Sequence, residues 1–110
     1  MTIAIADRDD AGLRVVQGEL EALHSKPRVL PVTVDVSEHP SVIAMVDAVT
    51  QRFGRVDYFA NCAGVLRQGD TVNLPVDAFD MVLRINLRGI FLCSKEVVKV
   101  MLEQEPIQSR

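Results

Sequence analysis

Three short apolar runs, each followed by a segment with helical spacing or by a loop and then a helix, constrain this 110-residue chain more than any other feature. Residues 2–6 (TIAIA) are apolar and partly β-branched and end at a charged cluster, the pattern of a buried parallel strand. Asp9 or Asp10 can cap the helix that follows, in which Leu13, Val16, Leu20 and Leu23 share one face. Pro27 is expected to stop it. Residues 28–34 (RVLPVTV) form the second run, and Pro31, which cannot donate to a ladder, places it at a sheet edge. A second helix opens at residues 37–40, carries Val42, Met45, Val46, Val49 and Phe53 on one face, and ends at Gly54. Residues 56–60 (VDYFA) are the third predicted strand and 61–75 a loop. One long helix is predicted from about Val76 to about Glu105, stopped by Pro106.

The order β-α-β-α-β-α requires parallel strands joined by right-handed crossovers, and so an α/β layered sheet. Composition narrows the possible functions. Twelve basic against 15 acidic residues, a net charge of −3, leave no positive stripe for nucleic acid. Cys62 and Cys93 form neither a disulfide framework nor a metal-type pair, and no metal site is expected. The first ten residues lack a secretory pattern, and no apolar run approaches the roughly 18 residues of a spanning helix. Cytoplasmic residence with both thiols reduced is the default expectation. His24 and His39 read as solvated helix ends, and Cys93 as core.

Ligands in such sheets bind beyond the carboxyl ends of the strands, so the residues that follow each strand carry the chemistry. Asp7, at the end of the first run, can accept hydrogen bonds from the vicinal hydroxyls of a ribose and would repel a 2′-phosphate. Arg8 could instead hold that phosphate. Equally, Asp7 can serve with Asp9 and Asp10 at the start of the next helix. Asp35 can accept from the exocyclic amine of adenine, with a neighbouring backbone N–H meeting a ring nitrogen, or can simply shape the turn into the next helix. In Asn61-Cys62-Ala63-Gly64 the small residues allow close approach of a flat ligand, and Asn61 can fix the loop through nearby backbone groups. Asn86 and Gly89 are both poor helix formers inside the long predicted helix, which implies a local irregularity there. Competition by the Asn86 side chain could leave a main-chain carbonyl free for water, or Asn86 could simply be a solvated residue on the outer face of the helix.

The stretches IADRD, VDVS, VDYFANCAG and INLRGIF, with Asp7, Asp35, Asn61 and Asn86 spaced by 28, 26 and 25 residues, together resemble the short-chain dehydrogenase/reductase superfamily. The resemblance covers the chain from about Thr2 to Met101. It implies a partial Rossmann-like, doubly wound parallel sheet of three strands and three helices, with the central first strand of the family fold missing. It also implies that Asp7 binds the adenosine ribose, Asp35 and Val36 bind adenine, and Asn61, Ala63 and Gly64 line the adenine and ribose side of the pocket. By the same likeness Asn86 is the asparagine of the family's Asn-Ser-Tyr-Lys tetrad, holding a proton-relay water. NAD is the implied cofactor, with NADP disfavoured, and the implied substrate is a small alcohol or ketone. The long helix, 76–105, would build a homo-oligomer.

The sequence departs from the family at both ends of the motif set. None of its six glycines has the spacing of the family's T-G-x-x-x-G-x-G turn, which carries a pyrophosphate. The only tyrosine is Tyr58, four residues from Cys62 rather than from a lysine, and no tyrosine follows Asn86. The expectation is therefore one partial dinucleotide-binding domain over residues 1–110, running from the second strand to the fifth helix of the family fold. Alone, such a chain would be catalytically incompetent. The alternatives are a non-catalytic dinucleotide-binding or helix-mediated interaction fragment, and an unrelated α/β domain such as a receiver or methyltransferase.

Overall fold

The structure is a computed structural model and describes residues 1–107. Its elements are β1 (Thr2–Asp7), α1 (Asp10–Glu21), β2 (Arg28–Thr33), α2 (His39–Phe53), α3 (Val76–Leu83), a π turn (Arg84–Arg88) and α4 (Gly89–Glu103). β1 and β2 pair in parallel, in register from Thr2 opposite Arg28 to Asp7 opposite Thr33. The Val34 amide donates to the Asp7 carbonyl at 2.9 Å and ties the two strand ends together. Asp9 is the N-cap of α1, its carboxylate accepting from the Gly12 amide. Gly54 closes α2 at φ 82°, a left-handed conformation that costs glycine nothing.

The layers follow from where the apolar residues fall. α1 packs on the sheet and touches neither α2 nor α4, whereas α2 touches both the sheet and α4. The helices thus occupy both faces of the sheet. The core lies on the α2 side, where Val34, Val42, Met45, Val46, Leu92, Cys93 and Val97 are buried together. On the α1 side Leu13 is buried, but Val16 and Leu23 are exposed, so only part of the predicted apolar face has a partner.

Three expectations are corrected. The predicted third strand, 56–60, is not a strand: the sheet among the described residues has two strands, β1 and β2. A strand needs a hydrogen-bonded neighbour, and the run VDYFA finds none. Its first residue is held instead by a side chain, since the Gln104 carboxamide accepts from Val56 N at 3.0 Å and donates to Val56 O at 2.6 Å. Second, α1 ends at Glu21, ahead of Pro27. Single turns carry the chain on, with Lys26 at φ 44°. Third, the long helix is interrupted at residues 84–88, so three predicted helices become α1, α2, α3 and α4.

The interruption sits where the sequence combines Asn86 and Gly89. Gly89 is buried against Val36, and a Cβ there would lie 2.9 Å from Val36 Cγ2 and 3.3 Å from Val36 O. Glycine at this position lets the helix cross directly beneath the turn after β2.

Candidate functional site

The loops after β1, after β2 and after residue 60 meet at one end of the sheet. They surround a cavity of about 160 Å³ lined by Ala6, Asp7, Arg8, Val34, Asp35, Val36, and residues 62–65, with Ile85 from the π turn. Five residues assigned from sequence to cofactor binding are thus brought together: Asp7, Asp35, Val36, Ala63 and Gly64. Asn61 and Asn86 are not among the lining residues.

Asp7 Oδ1 accepts from Asp9 N at 3.0 Å, so part of this carboxylate shapes the turn into α1. Asp7 is nevertheless exposed at the cavity wall, where its other oxygen can face a ligand. Asp35 Oδ1 accepts from both the amide and the hydroxyl of Ser37, at 3.0 and 2.6 Å. The Ser37 hydroxyl and then its amide hold the Asp35 carboxyl below the usual carboxylate range, with help from the positive charges of Arg84 and Arg8. The carboxylate therefore stays an acceptor, the state that an exocyclic amine requires. The Asp35 amide in turn donates to Ser41 Oγ at 2.9 Å, which fixes the turn to α2.

Asn86 reaches across to the third loop. Its Oδ1 accepts from Val65 N and its Nδ2 donates to Val65 O, both at 2.8 Å. The carboxamide thus replaces a neighbouring strand for Val65. A Cβ on Gly64 would lie 3.3 Å from Asn86 Oδ1, so a side chain there would crowd this clamp. Asn61, expected to bond nearby backbone, instead donates to Ile90 O of α4 at 3.3 Å. Residues 56–65 are therefore held along the helix by three carboxamides: Gln104 at Val56, Asn61 at its own position, and Asn86 at Val65.

Two features escaped the sequence. Glu96 is buried, 3.5 Å from both His39 Nε2 and Lys99 Nζ. His39 is thus not the solvated helix end expected, since its Nε2 is buried between α2 and α4. The Gln104 clamp was also missed, because nothing in a helix-terminal Gln signals a contact 48 residues away. Cys93 is buried as expected, and burial pushes its thiol up. Cys62 is exposed at the cavity. Among the described residues no helix is long and apolar enough to cross a membrane.

A family model described as short chain dehydrogenase matches residues 1–106. Levodione reductase of Leifsonia aquatica is 38% identical over 103 residues, covering 93% of this chain and 39% of that protein. The 2-dehydro-3-deoxy-L-rhamnonate dehydrogenase (NAD(+)) of Sphingomonas sp. is 38% identical over 104 residues, covering 92% of this chain and 39% of that protein. The crystal structure of an actinorhodin polyketide ketoreductase variant with NADPH superposes at a TM-score of 0.85 and 34% identity, covering 91% of this chain and 38% of that one. The chain thus spans about two-fifths of the length of the relatives it matches.

Proposed function

Because the chain belongs to the short-chain dehydrogenase/reductase superfamily, we propose that it is the adenosine-binding part of an NAD(H)-dependent oxidoreductase. In this reading residues 1–110 are one partial dinucleotide-binding domain, from the second strand to the fifth helix of the family fold. The complete protein moves hydride between nicotinamide and an alcohol or ketone carbon in the cytoplasm, and the isolated chain is inactive.

One observation carries the reading: five residues from three separate loops converge on one cavity at the carboxyl ends of β1 and β2. The residues present fit the adenosine half of the cofactor. Val36 and Ile85 offer apolar walls to a flat base, and Ala63 and Gly64 leave room for close approach. Asp35 is a charged acceptor for an exocyclic amine, and Asp7 for the ribose hydroxyls. Asn61 holds the third loop onto α4 from behind. Bound nicotinamide supplies the hydride chemistry in this family. The residues of this chain bind and orient the other end of the molecule.

Asn86 stands apart from the adenosine wall. Its side chain is committed to Val65, and the π turn around it disrupts the regular helical hydrogen-bond ladder. This favours a main-chain carbonyl there holding the proton-relay water. Along α4 and the π turn, Leu87, Phe91, Val98 and Leu102 are exposed with helical spacing. This stripe suits a homo-oligomeric contact, and it also supports the second reading, a helix-mediated interaction fragment without catalysis.

Cofactor choice tests the assignment of Asp7. In the complete protein Asp7→Ala is expected to erode the preference for NAD over NADP by about tenfold, roughly one charge-assisted contact. The check is the ratio of kcat/KM values for the two cofactors. An unchanged ratio would remove Asp7 from the ribose site.

A further inference from the structure

The walls of the cavity hang from the π turn. Asn86 clamps Val65 on one side. On the other, Arg88 Nη1 donates to the Ser37 carbonyl at 2.6 Å and Arg84 pairs with Glu38 at 2.7 Å. Both guanidinium groups lie against the first turn of α2, which begins at His39. A helix N-terminus is electropositive, so two arginines there oppose the helix dipole. Glu38, the N-cap residue of α2, offsets that charge for Arg84. Arg88 makes its bond to a main-chain carbonyl within the turn that lines the cavity.

We propose that Arg88 is a positioning residue for the adenine half-site, latching the turn of residues 35–37 onto the helix so that Val36 keeps its place in the cavity wall. Besides the Asp35 amide bond to Ser41 Oγ, which ties the turn to α2, three contacts act on it. Asp35 closes it from within through Ser37, Gly89 supports Val36 from below, and Arg88 fastens its last carbonyl. Without Arg88 the Asp35–Ser37 bonds keep the local turn, but what still attaches it to the helix is apolar contact at Val36 and the exposed Arg84–Glu38 ion pair beside it. A charge-assisted bond of this length is among the stronger single contacts available to an exposed loop. Because Arg88 uses one nitrogen on one carbonyl, a lysine ammonium can replace it, unlike at sites that need a two-pronged guanidinium.

The role rests on the adenosine reading above, so the test separates the two. The probe is 5′-AMP, titrated into the full chain and followed by NMR at the Val36 amide, with Arg88→Met and Arg88→Lys compared. Arg88→Met is expected to weaken AMP about tenfold, Arg88→Lys to restore most of it, and the exchange rates of the Val46 and Val97 core amides to stay unchanged. AMP affinity unchanged in Arg88→Met, or no rescue by lysine, overturns the proposal. If the unsubstituted chain takes up no AMP, the adenosine reading fails on its own. Amide exchange at Val36 and Ser37 in the ligand-free chain then decides the latch. Faster exchange in Arg88→Met with rescue by lysine supports it, and equal exchange in all three overturns it.

Discussion

The purified 110-residue chain is expected to unfold in a broad transition below about 45 °C, the low end for ordinary domains, and to self-associate on the way. The cause is visible in the sheet. Among the described residues β1 is paired on one side only, and residues 56–60 have no strand beside them. In the strand order that the family resemblance implies, a further strand runs between these two segments and would space them by about two strand spacings, or ~9–10 Å. Tyr58 is 92% exposed and Phe59 is also exposed. Unpaired apolar edges recruit other chains. Two strands alone form a marginal sheet, so stability rests on α2, α4 and one face. The dimensions agree: the radius of gyration is 16.3 Å, whereas a compact domain of this length has about 13 Å. Differential scanning calorimetry with sedimentation checks this. A sharp, reversible melt of a monomer above about 60 °C would show that the two-stranded sheet is sufficient.

Replacing Asn86 is expected to have the second largest effect. Its carboxamide is the partner of both main-chain groups of Val65, and this contact is partly buried. Asn86→Ala would strand a donor and an acceptor together, at a cost of roughly 2 kcal/mol or more. Asn86→Asp should be as damaging as alanine, because a carboxylate keeps the acceptor for Val65 N but turns a second oxygen toward Val65 O. In the complete protein both variants should lower turnover by at least about a hundredfold, the range of a lost acid–base contribution. Amide exchange at Val65 and single-turnover rates provide the readouts. An Asn86→Ala variant with protected Val65 and near-normal turnover would detach this residue from both roles.

Much of this arrangement was legible, for local reasons. Periodicity placed α2, and Gly54 ended it where a left-handed residue was needed. The clash between helical spacing and the poor helix formers Asn86 and Gly89 points to a local irregularity, and the π turn lies there. Asp35 and Ser37 share a turn of the kind that Asp and Ser favour between a strand and a helix, one of the two readings open for Asp35. What failed depended on distant partners. Residues 56–60 have strand composition, but strand formation requires a neighbour, and composition does not report one. His39 reads as a polar helix start until Glu96, 57 positions later, is packed beside it. The carboxamide clamps of Asn86 and Gln104 likewise join residues 21 and 48 apart.

If the cavity bounded by Asp7, Asp35, Val36, Ala63 and Gly64 receives the adenosine of a nicotinamide dinucleotide, as proposed, a free adenine nucleotide should enter it. Titrating 5′-AMP into the full chain at millimolar concentration, with amide shifts recorded for every resolved residue, tests it most directly. Saturable shifts centred on Asp7, Val36 and Gly64 are expected. No saturable shift, or shifts confined to the exposed stripe of Leu87, Phe91, Val98 and Leu102, would contradict it.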